Sequence, residues 1–295
     1  MMPWAKIESS TYWFFFVASF VAVAAWESWR PKQQLATPVG RRWSRHGLAM
    51  MITSFITVAI YRASPVIVAV AALNNRFGVF NKTWLPFPVR FIAALLVLDF
   101  VKYAVHRVMH SASWLWRVHH VHHSDPDLDV STGGRTHPIE IVLTQGLLLA
   151  TVALLALPPA GVLAAELVSL AQVFISHANV SLPAWLDSRL RWVFVTPDMH
   201  RIHHSEEIRE QWTNLGDIFS LWDRLFRTYL PEPAVGRDHV VVGLKGFQGQ
   251  RSLNLGFMLL FPFRGEQYES AAESENNNNR EADGVLSAPA APSGD

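Results

Sequence analysis

Five apolar stretches divide this chain, and no other feature restricts its fold as strongly. They run from Tyr12 to Trp26, Leu48 to Leu73, Phe91 to His110, Ile139 to Ala156 and Gly161 to Ile175. A membrane-crossing helix needs roughly 20 mostly apolar residues, fewer where aromatic side chains flank it. Trp13 and Trp26 flank the first stretch in that way. Arg62 and Pro65 interrupt the second, so a broken helix is expected there. Leu157-Pro158-Pro159-Ala160 joins the last two as a tight helical hairpin. Composition agrees: half of the 295 residues are apolar and 17% are charged, against roughly 25% in soluble domains. Twelve Trp and 18 Phe suit a chain that meets a membrane interface. The fold expected is all-α, an integral membrane helical bundle.

Topology follows from charge. Arg30, Lys32, Arg41, Arg42 and Arg45 make the loop after the first stretch basic, which places it on the cytoplasmic face. The second stretch then exits and the third returns. The hairpin leaves and comes back, so His106, His110 and His177 all arrive on the cytoplasmic side. No small-residue cleavage site follows the first stretch, so it is expected to be retained. With a net charge of +1 nothing argues for nucleic acid as a partner, and none is expected. With no cysteine there is no disulfide, no Fe–S cluster, no thiolate metal site and no Cys nucleophile.

Eleven of the 13 histidines fall between His106 and His204. His106 and His110 form H-x-x-x-H. His119, His122 and His123 form H-x-x-H-H, and His200, His203 and His204 repeat it. Residues four apart share a helical face about 6 Å apart, so His106 and His110 can ligate one centre. In H-x-x-H-H the first two imidazoles are expected to share a face and the third to point about 100° away, toward a second ion. Eight imidazoles exceed the four to six ligands of one ion, so the centre reads as binuclear. His177, ending the fifth stretch, is a ninth candidate. His120 is expected to face away.

Two further groups belong to the surroundings. Asp99, an acid inside an apolar run, must be partnered. It is expected to orient a ligand histidine or to pair with Lys102 or Arg107. His137, just ahead of Pro138, is open as a ligand, a substrate contact or a helix cap, and is expected to support the ligands. Imidazole suits Zn, Cu, Fe and Ni alike. A ligand-rich, nearly carboxylate-free pair in a membrane points to O2 chemistry and to iron, two ions per chain.

Together these residues resemble the fatty acid hydroxylase/sterol desaturase superfamily of membrane di-iron oxygenases. The resemblance covers roughly 91–229. It rests on His106-Arg107-x-x-His110, Trp116-Arg117-x-His119 leading into His122-His123-Ser124, and Arg135-x-His137-Pro138-x-Glu140. It continues through Ser176-His177-Ala178-Asn179, His200-Arg201-x-His203-His204-Ser205, Asn214-Leu215-Gly216 and Trp222-Asp223-Arg224-Leu225-Phe226-x-Thr228-Tyr229. Arg227 stands where the family often has Gly.

The resemblance implies membrane helices capped on the cytoplasmic face by a histidine-rich region holding two irons. The eight patterned histidines and His177 would be ligands. Asn179, Asn214 and Asp223 would lie just outside them and hold rings in place. It implies a division into N-terminal helices and loops (1–90), the catalytic domain (91–231), a C-terminal segment (232–265) and a disordered tail (266–295). Leu253 to Phe263 is too short to span and is expected at the membrane surface. The implied activity is O2-dependent hydroxylation or desaturation of a fatty-acyl or sterol-like lipid C–H bond, fed by a separate electron-donor protein. Carotenoid hydroxylation and ether-lipid cleavage remain open on the same centre. A histidine-lined metal transporter or sensor is the competing class.

Overall fold

The computed structural model describes residues 2–245 and 250–264; the tail expected over 266–295 lies outside the described residues. Among the described residues the chain is helical, with no strand beyond two isolated bridges, Phe194 to Phe219 and Ser205 to Val242. The apolar stretches become α1 (Met2–Trp29), α2 (Val39–Tyr61), α3 (Pro65–Asn74), α4 (Phe87–Ser111), α6 (Pro138–Leu155) and α7 (Pro159–His177). Between α4 and α6 lies α5 (Ser113–His123). Beyond α7 come α8 (Ala184–Leu190), α9 (Pro197–His203), α10 (Ile208–Gln211), α11 (Leu221–Leu225) and α12 (Leu255–Leu260).

Local chemistry sets the helix ends. Arg62 adopts the left-handed conformation at φ 52° and ends α2, and Ser64 caps α3 by accepting from the Ile67 amide at 3.2 Å. Pro65, Pro138, Pro159 and Pro197 sit in first turns, where a missing N–H costs nothing. The broken second stretch is thus two helices meeting at Arg62 to Ser64.

The bundle is held by small and branched side chains. Val66 and Ala69 of α3, Ala94 and Leu98 of α4, Val152 of α6 and Val162 of α7 form one core. Gly161 brings α7 against α4: a Cβ there would lie 2.9 Å from the Ala94 Cβ and 3.3 Å from the Phe91 backbone. Small residues that allow close approach are the usual glue of membrane helices. On the other side, Phe16 and Phe20 of α1 pack edge-on against Phe174 of α7 at 5.3 and 5.7 Å.

Four segments are long and apolar enough to cross a membrane: Trp4–Trp29, Val39–Lys82, Pro138–Leu155 and Pro159–His177. Phe14, Phe55, Val58 and Leu154 on these helices are exposed, as lipid-facing side chains are. The protein is therefore an integral membrane helical bundle. The sequence reading makes Phe91 to His110 a further span, but α4 is not among the four. Arg90, Asp99, Lys102 and Arg107 lower its apolarity, and it packs against α5, α6 and α7. The short C-terminal helix does not stand apart: Phe257, Met258 and Phe261 are buried with Trp116 and Val121 of α5.

Candidate metal centre

Four helices end at one place. His110, His122 and His123, His177, and His200 and His203 occupy the last turns of α4, α5, α7 and α9. Helix C-termini carry partial negative charge, so the site favours a cation before any side chain is counted.

The nine imidazoles gather into two groups whose ligand nitrogens lie within 4.8 Å of one another: His106, His110, His119, His123 and His203, and then His122, His177, His200 and His204. The groups adjoin, with the His122 and His123 rings 5.7 Å apart and those of His123 and His204 stacked at 4.6 Å. All nine predicted ligands are thus brought together.

Their division corrects the sequence reading. The first and second histidines of each H-x-x-H-H motif do not share a group. His119 joins His123, and His200 joins His204, while His122 and His203 go to the opposite groups. On a helix, i+4 lies about 40° from i, whereas i+3 lies about 60° the other way. The i,i+4 pair therefore converges, as it does at His106 and His110.

Most of the rings are tied from outside. The Nδ1–H groups of His106, His122, His177 and His203 donate to the carbonyls of Leu215 (2.9 Å), Arg135 (3.2 Å), Val173 (2.8 Å) and Thr213 (3.0 Å). His119 Nδ1 lies 2.9 Å from Glu140 of α6. A carbonyl can only accept, so those nitrogens carry the proton and each Nε2 turns a lone pair inward. The Nε2 atoms of His122 and His177 then face each other at 3.1 Å, as do those of His106 and His119. Two lone pairs cannot bond one another; a cation between them satisfies both. The buried Nε2 atoms of His110, His123 and His203 likewise have no protein partner. Burial, then the neighbouring imidazoles, hold His122, His123, His200, His203 and His204 well below the usual imidazole range, so they are neutral donors at pH 7. The residues present fit metal in both groups.

The supporting residues act one bond further out than the sequence reading places them. Asp99 touches no histidine and pairs with neither Lys102 nor Arg107. It accepts from the Ile218 amide (2.8 Å), the Phe219 amide (3.2 Å) and the Trp222 indole (2.7 Å). Asp223 accepts from the Leu215 (2.8 Å) and Gly216 (2.9 Å) amides and the Thr228 hydroxyl (2.6 Å), and burial pushes its carboxyl up to about 6. Asn214, left-handed at φ 53°, donates to the carbonyls of Met199 (3.2 Å) and Leu230 (3.0 Å). These three fold the loop that offers the Thr213 and Leu215 carbonyls to the rings. Asn179 accepts from Arg201 at 3.2 Å rather than from a ligand. His137 caps α6 by accepting from the Ile139 amide at 3.2 Å, and its Nε2 lies 3.3 Å from the Leu259 carbonyl. His120 belongs to neither group and lies against Phe261.

Glu140 enters the sequence reading only as part of a motif. An acid in the first turn of a strongly apolar helix is the signal for its role. A second support comes from Arg42 of α2, fully buried, which bonds Asp125 at 2.6 Å and Asp129 at 2.8 Å. Burial alone would raise the Asp125 carboxyl, yet the Arg42 charge holds it well below the usual carboxylate range. This ion cluster shapes the loop leading to Arg135, whose carbonyl receives His122.

A cavity of about 200 Å³ opens beside His106, His122, His177, His200 and Glu140. A larger one of about 320 Å³ continues among α1, α2, α4, α6 and α7.

Residues 91–228 match the model of the fatty acid hydroxylase family. The chain is 31% identical over 201 residues to the ornithine lipid hydroxylase OlsE of Rhizobium tropici, covering 66% of this chain and 60% of that one. It is 29% identical over 179 residues to the alkylglycerol monooxygenase of Homo sapiens, covering 58% and 36%. The alkylglycerol monooxygenase of Caenorhabditis elegans is 31% identical over 148 residues, covering 49% and 28%. The chain thus spans 60% or less of the length of these relatives. No solved structure matches it.

Proposed function

The chain belongs to the fatty acid hydroxylase family, and on that premise we propose that it is a membrane oxygenase which holds two iron ions and uses O2 to hydroxylate or desaturate a lipid C–H bond. One observation carries the reading. Nine imidazoles divide into groups of five and four, and the buried Nε2 atoms of His110, His123 and His203 meet no protein donor. Five and four nitrogens suit two ions better than one. When bound, such an iron pair supplies the oxidising chemistry that an unactivated C–H bond demands.

The chain's own residues bind, orient and exclude. His106, His110, His119, His123 and His203 would hold one ion, and His122, His177, His200 and His204 the other. The carbonyls of Leu215, Arg135, Val173 and Thr213 keep four of these rings in the metal-binding tautomer. The larger cavity, walled by Leu98, Leu148 and Phe174 among others, takes an acyl chain or ring system from the bilayer and keeps water from the reacting carbon. The basic loop packs onto the centre, with Lys32 bonded to Asp198 of α9 at 2.6 Å. That contact supports a cytoplasmic location, where a separate electron-donor protein delivers reducing equivalents.

Metal analysis and Mössbauer spectroscopy of the detergent-purified chain are expected to find about two coupled irons per chain. Lipids from cells expressing it under 18O2 are expected to carry the label or a new double bond. Zinc alone, or one ion per chain, rejects the reading.

A further inference from the structure

The larger cavity is not uniformly apolar, and one polar group in it has no assigned use. The two cavities share walls at Lys102, Gly133, Thr136, Ile141, Thr144 and Val173, so the larger adjoins the one beside the histidines. Along α7 a single face runs from Glu166 through Ser169, Leu170 and Val173 to His177. Glu166 and His177 are 11 residues apart, about 16 Å along the helix axis.

Glu166 lines the far part of this cavity, near Tyr12 and Pro65. Its Oε2 is buried and meets no hydrogen-bond partner. The charges around it are committed elsewhere. Lys102 bonds Asp217 at 3.2 Å and also contacts Ser169, whose hydroxyl donates to Asp217 at 2.6 Å. The Glu8 carboxyl, itself acidic, accepts from Ser64 at 2.6 Å. A carboxyl with an open acceptor inside a membrane bundle is costly unless something donates to it. A pure hydrocarbon chain would leave it unsatisfied.

Resting on the oxygenase reading, we infer that Glu166 binds an N–H or O–H donor on the lipid substrate, about three helical turns along α7 from His177. The substrate class is therefore a lipid with an amine or hydroxyl remote from the oxidised position. The distance fixes which carbon is presented, since anchoring one end places the other.

The test uses the full chain in nanodiscs, titrated with hexadecylamine, 1-hexadecanol and hexadecane and read by thermal shift. The amine and alcohol are expected to bind about tenfold more tightly than the alkane, which leaves a buried acceptor without its hydrogen bond. Glu166→Leu is expected to abolish that preference while leaving hexadecane binding unchanged. The near-isosteric Glu166→Gln is expected to keep the alcohol and lose the amine, which also controls for folding. Equal binding of the three probes, no binding of any, or an undiminished preference in Glu166→Leu overturns the proposal. Iron content of the same preparations reports on the oxygenase reading separately.

Discussion

Replacing Glu140 by glutamine separates the two histidine groups energetically. Glu140 holds His119 at 2.9 Å, and His119 belongs to the group of five. The amide would keep the shape and one acceptor oxygen but lose the charge. A charge-assisted bond exceeds a neutral one by about 1 to 2 kcal/mol, and loss of such an outer partner typically costs 10- to 100-fold in metal affinity. The group of four has its own outer contacts, the Arg135 and Val173 carbonyls, which the substitution leaves alone. Anaerobic Fe(II) titration of Glu140→Gln against a chelator is therefore expected to become biphasic. One ion weakens by about 10- to 100-fold, roughly 1.4 to 2.7 kcal/mol, and the other holds. Equal weakening of both ions, or of neither, would refute the division into five and four.

Three other perturbations follow from the same contacts. Asp99→Leu leaves the Ile218 and Phe219 amides and the Trp222 indole without their acceptor. A loss of about 2 to 4 kcal/mol in unfolding stability is expected, with metal released only as the 214–229 loop loosens. Arg42→Met strands two buried carboxylates, Asp125 and Asp129, and is expected to cost about 3 to 5 kcal/mol in denaturant unfolding. Metal-free protein should lose stability in acid. The depressed imidazoles of His122, His123, His200, His203 and His204 bind protons only when unfolded, so their contribution is complete above pH 6.5 and is lost as the pH falls. At pH 5.5 the loss is about 1.4 kcal/mol per ring, about 7 kcal/mol together. Asp223, raised to about 6, works in the opposite sense, its carboxyl gaining as the pH falls, and returns only about 0.8 kcal/mol. A flat stability profile between pH 7 and 5.5 would contradict this.

Much of the molecule was legible in the chain alone, for reasons that are local. Apolar runs must become helices in a membrane because lipid offers no partner for a free amide. Arg62 with Pro65 breaks a helix wherever it occurs, and Pro158-Pro159 starts one. The histidine cluster was readable because imidazole is chemically distinctive and its spacing is helical. What remained hidden depends on groups without a residue signature or with distant partners. Which imidazoles fall into the same group was decided by how α5 and α9 turn toward α4 and α7. The Leu215 and Thr213 carbonyls look like every other carbonyl in the sequence, and only the loop built by Asn214, Asp223 and Asp99 aims them at His106 and His203. Asp99 looked like a partner for its helical neighbours, yet its contacts lie 119 to 123 residues away, at Ile218 and Trp222. Side-chain chemistry is written in the chain, whereas the direction in which a backbone group points exists only once the helices have packed.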